Sequence, residues 1–255
     1  MPRATAGLAL RFACAVSLAL SSGALHAQPA AAARTETTAN VATGPRVILV
    51  GDSTMAPRSG YGNALCARLQ QVACLNLARG GRSSLSFRAE GLWQTVMALL
   101  REGTSPQKTL VLIQFGHNDQ PGKPGRSTDL ATEFGPNMAG YVKEVKAAGG
   151  DVVLITPLTR RTFKDGELPN DLRPWAEAIL RVGAEQGVPV LDLNALSHAS
   201  VAAMGQAEAD TLAEAPPRFD RTHLGPKGAA LFSEQVLSGL LQLRPELAAA
   251  RTLAP

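Results

Sequence analysis

The sequence predicts an α/β protein, a three-layer αβα sandwich built around a five-stranded parallel sheet. Two observations carry this expectation. Five short aliphatic runs recur without alternation of polar and apolar residues, as parallel strands buried on both faces do. Between them, apolar residues return every three or four positions, the mark of amphipathic helices. Strand and helix in alternation imply right-handed crossovers with helices on both faces of the sheet. The 255-residue chain is 45% hydrophobic and only 4% aromatic, which suits one domain with an aliphatic core.

Taken in order, the chain opens with Arg3 and Arg11 ahead of an apolar, small-residue stretch over residues 12–25 and a small residue at Ala27. Residues 1–27 therefore read as a secretory signal peptide, too short for a membrane span with normal flanks. Residues 28–44, rich in Ala and Thr without periodicity, read as a flexible leader. The domain is expected over residues 45–245 and a tail over 246–255. Its strands are Val47-Ile48-Leu49-Val50, Cys74-Leu75-Asn76-Leu77, Leu110-Val111-Leu112-Ile113, Val152-Val153-Leu154-Ile155 and Val188-Pro189-Val190-Leu191. Helical spacing joins Leu130, Phe134, Met138, Tyr141, Val142 and Val145 up to Gly149-Gly150. It also joins Leu172, Trp175, Ala176, Ile179, Leu180 and Ala184 up to Gly187. Residues 228–241 read as a last helix.

Charge narrows the function classes. Without the signal peptide's two arginines the formal net charge falls from +4 to +2. That is far short of a nucleic-acid footprint. Cys66 and Cys74 remain, either as a disulfide across a helix-to-strand turn or as two buried thiols. No His/Asp/Cys group has metal-ligand spacing, and no Gly-rich loop with its lysine cradles phosphate. Neither metal nor cofactor is expected.

In open parallel sheets ligands bind at the carboxyl ends of the strands, and four segments there or before the last helix carry chemistry. Gly51-Asp52-Ser53-Thr54-Met55-Ala56 follows the first strand, where Ser53 can project its hydroxyl into the crevice. By itself Gly-Asp-Ser is equally an ordinary turn or helix cap. Ala78-Arg79-Gly80-Gly81-Arg82-Ser83-Ser84 follows the second. Its glycines let backbone N–H groups approach an anion, and a plain loop is the competing reading. Phe115-Gly116-His117-Asn118-Asp119 follows the third. Here the Asn118 amide is a second oxyanion donor, while His117 either polarises a substrate or satisfies a loop carbonyl. Phe219-Asp220-Arg221-Thr222-His223-Leu224-Gly225 precedes the last helix. An imidazole takes a serine proton only when held in the right tautomer, and a carboxylate three residues upstream can hold it. His198, on or near a helix, has no acid at such spacing, so His223 is the candidate base.

These four segments, in this order, resemble the conserved blocks of the GDSL/SGNH hydrolases. Ser53, Gly81, Asn118 and His223 match the four letters of the name. The Gly-Asp-Ser-Thr-Met-Ala, Gly-Arg-Ser and Phe-Gly-His-Asn-Asp variants look like the rhamnogalacturonan acetylesterase branch. The resemblance covers residues 46–243 and implies the flavodoxin-like fold of that family. It also implies Ser53 as nucleophile, His223 as general base and then acid, and Asp220 as its orienting partner. The oxyanion hole would come from the Ser53 and Gly81 N–H groups and the Asn118 amide. Thr54 stands where the wider family has Leu, in agreement with the acetylesterase branch.

The implied activity is removal of O-acetyl groups from a plant cell-wall polysaccharide such as rhamnogalacturonan or pectin, by a secreted or periplasmic monomer. Basic residues collect on the strand-end loops (Arg79, Arg82, Arg88, Lys123, Arg126, Arg160, Arg161, Lys164 and Arg221). Guanidinium groups bind carboxylates in bidentate fashion, so Arg160 and Arg161, with Arg82 and His117, are candidates for holding an acidic polysaccharide. Solvated loop charge is the plain alternative. Two other functions compete. A lipase, thioesterase or O-acyltransferase of the same family would want an apolar groove. A non-catalytic carbohydrate-binding protein would tolerate loss of the Ser, Asp and His that are all present.

Overall fold

The apolar runs emerge as the strands of one parallel sheet. In the computed structural model, which describes residues 45–69, 71–102 and 109–250, these are β1 (Arg46–Gly51), β2 (Ala73–Asn76), β3 (Leu110–Gln114), β4 (Asp151–Ile155) and β5 (Val190–Leu191). Their order is β2-β1-β3-β4-β5, all pairs parallel. The chain therefore moves outward from β1 to one edge, returns across it, and builds to the other edge. That reversal at β1 opens a crevice beside its carboxyl end. The expected signal peptide and leader lie outside the described residues.

Side chains alternate across each strand, so the continuous runs supply two cores. Val47 and Leu49 face Leu65, Phe232, Val236, Leu237 and Leu240 on one side. Ile48 and Val50 face Val96, Met138, Tyr141, Val142 and Ile179 on the other. The first layer contains α1 (Gly62–Ala67) and, late in the chain, α6 (Leu193–Asp210, broken at Gly205) and α7 (Pro226–Leu243). The second contains α2 (Ser86–Ala89), α3 (Leu92–Arg101), α4 (Gly135–Ala147) and α5 (Arg173–Gln186).

Helix ends follow the local chemistry. A π-helical turn over Leu130–Phe134 precedes α4, and Asp129 caps it by accepting from the Ala131 and Thr132 N–H groups. Proline in the first turn of α4, α5 and α7 falls where no intrahelical N–H is needed. Gly187, at φ +59°, closes α5. Cys66 and Cys74 are joined by a disulfide, Cα atoms 5.3 Å apart, linking α1 to β2. The start of the expected tail is ordered. Pro245–Ala250 forms a 3-10 turn, and Leu247 packs into the first core.

Candidate active site

The turn that carries Ser53 is held from below. Asp52 is fully buried, and its Oδ1 accepts from the Thr54 N–H and Oγ1, each at 2.8 Å. Its backbone carbonyl accepts from the Met55 and Ala56 N–H groups. These bonds wind residues 52–56 into a single turn immediately after β1. The chain then doubles back so closely that a Cβ on Gly60 would stand 2.2 Å from the Thr54 carbonyl. Only glycine fits there.

Beneath the turn runs a buried polar chain. Tyr61 Oη donates to Gln114 Oε1 at 2.6 Å, and Gln114 Nε2 donates to Thr54 Oγ1 at 2.6 Å. His117 Nδ1 lies 3.2 Å from Asp52 Oδ2. Burial pushes the Asp52 carboxyl upward, but the charge and hydrogen bond of His117 and the two bonds from Thr54 outweigh it. The group is held below the usual carboxylate range. An ionised carboxylate only accepts, so Nδ1 of His117 carries the proton.

Ser53, 8% exposed, presents its Oγ 2.8 Å from Nε2 of His223. The imidazole Nδ1 lies 2.7 Å from Oδ2 of Asp220. The other Asp220 oxygen accepts the Thr222 and His223 N–H groups, both at 2.7 Å. Burial raises this carboxyl, and the bonds from the His223 N–H and ring and from the Thr222 N–H more than reverse that. Asp220 is thus held ionised below its ordinary range. Two residues hold this loop and the Ser53 turn together. Ser59 donates from Oγ to the Ser53 carbonyl at 2.7 Å and accepts from the Leu224 N–H at 2.9 Å. Arg161 donates from its guanidinium to the carbonyls of Asp220, Thr222 and His223.

The two glycine- and asparagine-bearing loops flank Ser53. A Cβ on Gly80 would lie 3.7 Å from that of Ser53, and Gly81 takes φ +78°, a conformation that suits glycine. Asn118 is 7% exposed and donates from Nδ2 to the Arg82 carbonyl at 3.0 Å, one of its two N–H donors. Behind it, Asp119 accepts from the Ser84 N–H, Ser84 Oγ and Thr128 Oγ1. Burial dominates there and lifts the Asp119 carboxyl to about 6 despite those bonds.

Ser53, Asp220, His223, Gly81 and Asn118 are thus gathered at one place. The four substrate-binding candidates are not gathered as expected. Arg161 is fully buried and faces the backbone of the Asp220–His223 loop, so it cannot receive a polysaccharide carboxylate. Burial pushes its guanidinium down to about 10, against the pull of Asp220 and Asp210. His117, 2% exposed, is paired with Asp52 under the Ser53 turn and does not serve a loop carbonyl with its Nδ1. Arg160 is tied to Asp171 at 3.1 Å, and Arg82 to Glu90 and the Gly80 carbonyl. His198 reaches the Leu168 carbonyl, away from the serine. Among the described residues no group of His, Cys, Asp or Glu could hold a metal ion.

Sequence reading missed Ser59, Gln114 and the positional role of Arg161. Gln114 had a visible signal, a polar residue ending an otherwise aliphatic strand. Ser59 had none.

The model of the GDSL-like lipase/acylhydrolase family matches residues 46–231, which takes in all four loops described above. The chain belongs to this family. One relative, rhamnogalacturonan acetylesterase RhgT of Bacillus subtilis, is 30% identical over 78% of this chain and 90% of its own length. Within the GDSL-like family the chain falls in the rhamnogalacturonan acetylesterase-like branch, and it is a carboxylic ester hydrolase. Solved structures share its fold. YxiM of Bacillus subtilis superposes with TM-score 0.66 at 24% identity, over 82% of this chain and 58% of that one. The acetylxylan esterase Axe2 of Geobacillus stearothermophilus gives 0.60 at 17% identity, over 82% and 96%.

Proposed function

We propose that this GDSL-like esterase removes O-acetyl groups from a plant cell-wall polysaccharide, rhamnogalacturonan in particular, through a Ser53–His223–Asp220 triad. The observation that carries the reading is the continuous relay from Ser53 Oγ to His223 Nε2 at 2.8 Å and from His223 Nδ1 to Asp220 at 2.7 Å. It joins residues 170 apart in the chain.

His223 takes the hydroxyl proton as Ser53 Oγ bonds to the acetyl carbonyl carbon. The carbonyl oxygen becomes an oxyanion, met by the Ser53 and Gly81 N–H groups and by the Asn118 amide. Collapse breaks the ester bond, and the imidazolium returns its proton to the departing sugar hydroxyl. Water then repeats the cycle on the acetyl-serine and releases acetate. Asp220, held ionised, keeps the imidazole in the tautomer that has Nε2 free to accept. The Asp52–His117 pair and the Gln114 chain hold the turn that aims Ser53.

The Cys66–Cys74 disulfide favours an oxidising compartment. We therefore read the enzyme as secreted or periplasmic, acting as a monomer. Among the described residues no helix is long and apolar enough to cross a membrane.

Acetate release from acetylated rhamnogalacturonan, xylan and chitin fragments, beside long-chain fatty esters, tests the reading. The expected result is release from rhamnogalacturonan fragments that vanishes in Ser53→Ala. In Asn118→Ala kcat should fall by about 10²–10³, the usual effect of losing one oxyanion donor. Full activity in Ser53→Ala would overturn the mechanism, and a preference for long-chain esters would overturn the substrate.

A further inference from the structure

With Arg160 and Arg161 committed elsewhere, Arg58 and Arg79, both beside the carboxyl ends of β1 and β2, carry no side-chain hydrogen bond or ion pair among the described residues. Both are exposed. They line one cleft of about 570 Å³ at the β2 edge of the strand-end face, together with Arg82. The cleft adjoins Ser53 through two neighbours of that residue, Gly80 and Ser59, which both line it. Gly80 packs against the Ser53 side chain, and Ser59 holds the Ser53 carbonyl.

The electrostatics of this cleft are one-sided. Three arginines line it and no carboxylate does, and only Arg82 is neutralised, by Glu90. Three other strand-end cations are tied down: Lys123 to the His117 carbonyl, Arg126 to the Gly81 carbonyl, and Arg221 to Asp210. Two unneutralised guanidinium groups over an apolar floor of Ala56, Pro57 and Leu77 suit a sugar ring that carries a carboxylate. The fork-shaped donors match the carboxylate in bidentate fashion, and the apolar ring face lies on the floor.

We propose that Arg58 and Arg79 form a uronate subsite, which seats an acidic sugar of the polymer beside the acetylated unit at Ser53. The subsite rests on the deacetylase reading above and gives it a specificity determinant. A neutral acetylated glycan would lack the carboxylate and gain nothing there.

The test compares acetylated rhamnogalacturonan oligomers with acetylated xylo-oligosaccharides, which carry no uronate carboxylate. The readout is the ratio of kcat/KM on the two substrates within each protein. In the wild type the ratio should favour the uronate oligomers and fall with added salt, as contacts to partly exposed charges do. In Arg58→Ala/Arg79→Ala it should drop by about tenfold or more and lose most of its salt dependence. Arg58→Lys/Arg79→Lys should recover part of it, because charge is restored without the fork. Digalacturonate should inhibit the wild type on the acidic substrate and the alanine variant much less.

An alanine variant with the wild-type ratio and inhibition would overturn the subsite while leaving the deacetylase reading intact. So would a wild type that deacetylates both substrates with equal efficiency. A wild type that releases acetate from neither would overturn the deacetylase reading itself.

Discussion

Arg161 looks from sequence like one of many loop cations, and its burial is the residue-scale correction of most consequence. A guanidinium without solvent is costly unless its donors are used. Here Nη1 and Nη2 are used on the carbonyls of Asp220, Thr222 and His223, the proposed acid–base pair and the residue between them. Arg161 therefore acts as a positioning residue. Arg161→Met leaves those carbonyls without their donor, and misplacement of the imidazole should lower kcat by up to about a hundredfold. Arg161→Lys should restore part of this, since an ammonium still donates.

A pH profile separates positioning from simple loss of fold. Removing a positive charge beside Asp220 and His223 makes the imidazolium easier to form. The base works only when neutral, so the acid limb of kcat/KM in Arg161→Met should move to higher pH. An unshifted limb would reduce Arg161 to a structural support. No sequence pattern could have separated Arg161 from Arg160. The loop that buries one fully and the other only in part closes only when residues about 60 positions away return to meet it.

At the scale of elements, the strands were legible because each is buried on both faces and so carries a run of aliphatic residues. Four of the five expected runs coincide with strands to within a residue or two. The fifth shortens to Val190–Leu191, since Pro189 offers no N–H to the ladder. The long α6 escaped notice for a physical reason. Its chain turns at Gly205, φ +71°, and its buried positions do not form one stripe.

The Cys66–Cys74 bond closes a loop of sequence separation 8. In the chain-entropy view such a short loop contributes roughly 2–3 kcal/mol. Cys66→Ser/Cys74→Ser should therefore lower Tm by about 5–10 °C for a domain of this size. Calorimetry of the variant, or of the wild type under reductant, checks this. An unchanged Tm would mean that the α1–β2 junction is fixed by packing alone.

For the molecule as a whole, stability should record a buried carboxyl. Asp119 ties the Asn118 loop to Ser84 and Thr128, and its carboxyl is raised to about 6 from an ordinary 3.8. Between those values the folded state binds the proton more tightly than the unfolded chain does. Its contribution is therefore fully present below about 3.8 and is lost as pH rises through 6. Asp119→Asn removes this dependence. The variant should gain on the wild type by about 2 kcal/mol as pH goes from 4 to 7, at about 1.4 kcal/mol per pH unit of differential binding. Denaturant titrations at the two pH values measure it, and a difference constant with pH would show that the carboxyl stays ionised throughout. Nothing in the sequence marks this group, since an Asp after a strand reads first as a turn residue.

The acid–base pair has a further property at this scale. Asp220 and His223 keep 44% and 39% of their side chains exposed, so the partners of Ser53 lie at the surface and not at the end of a tunnel. A long glycan can be laid across such a site sideways, without its end being threaded through anything. On the proposed substrate, acetyl groups in mid-chain are then as reachable as those at the termini, and the polymer need not be cut before its esters are removed.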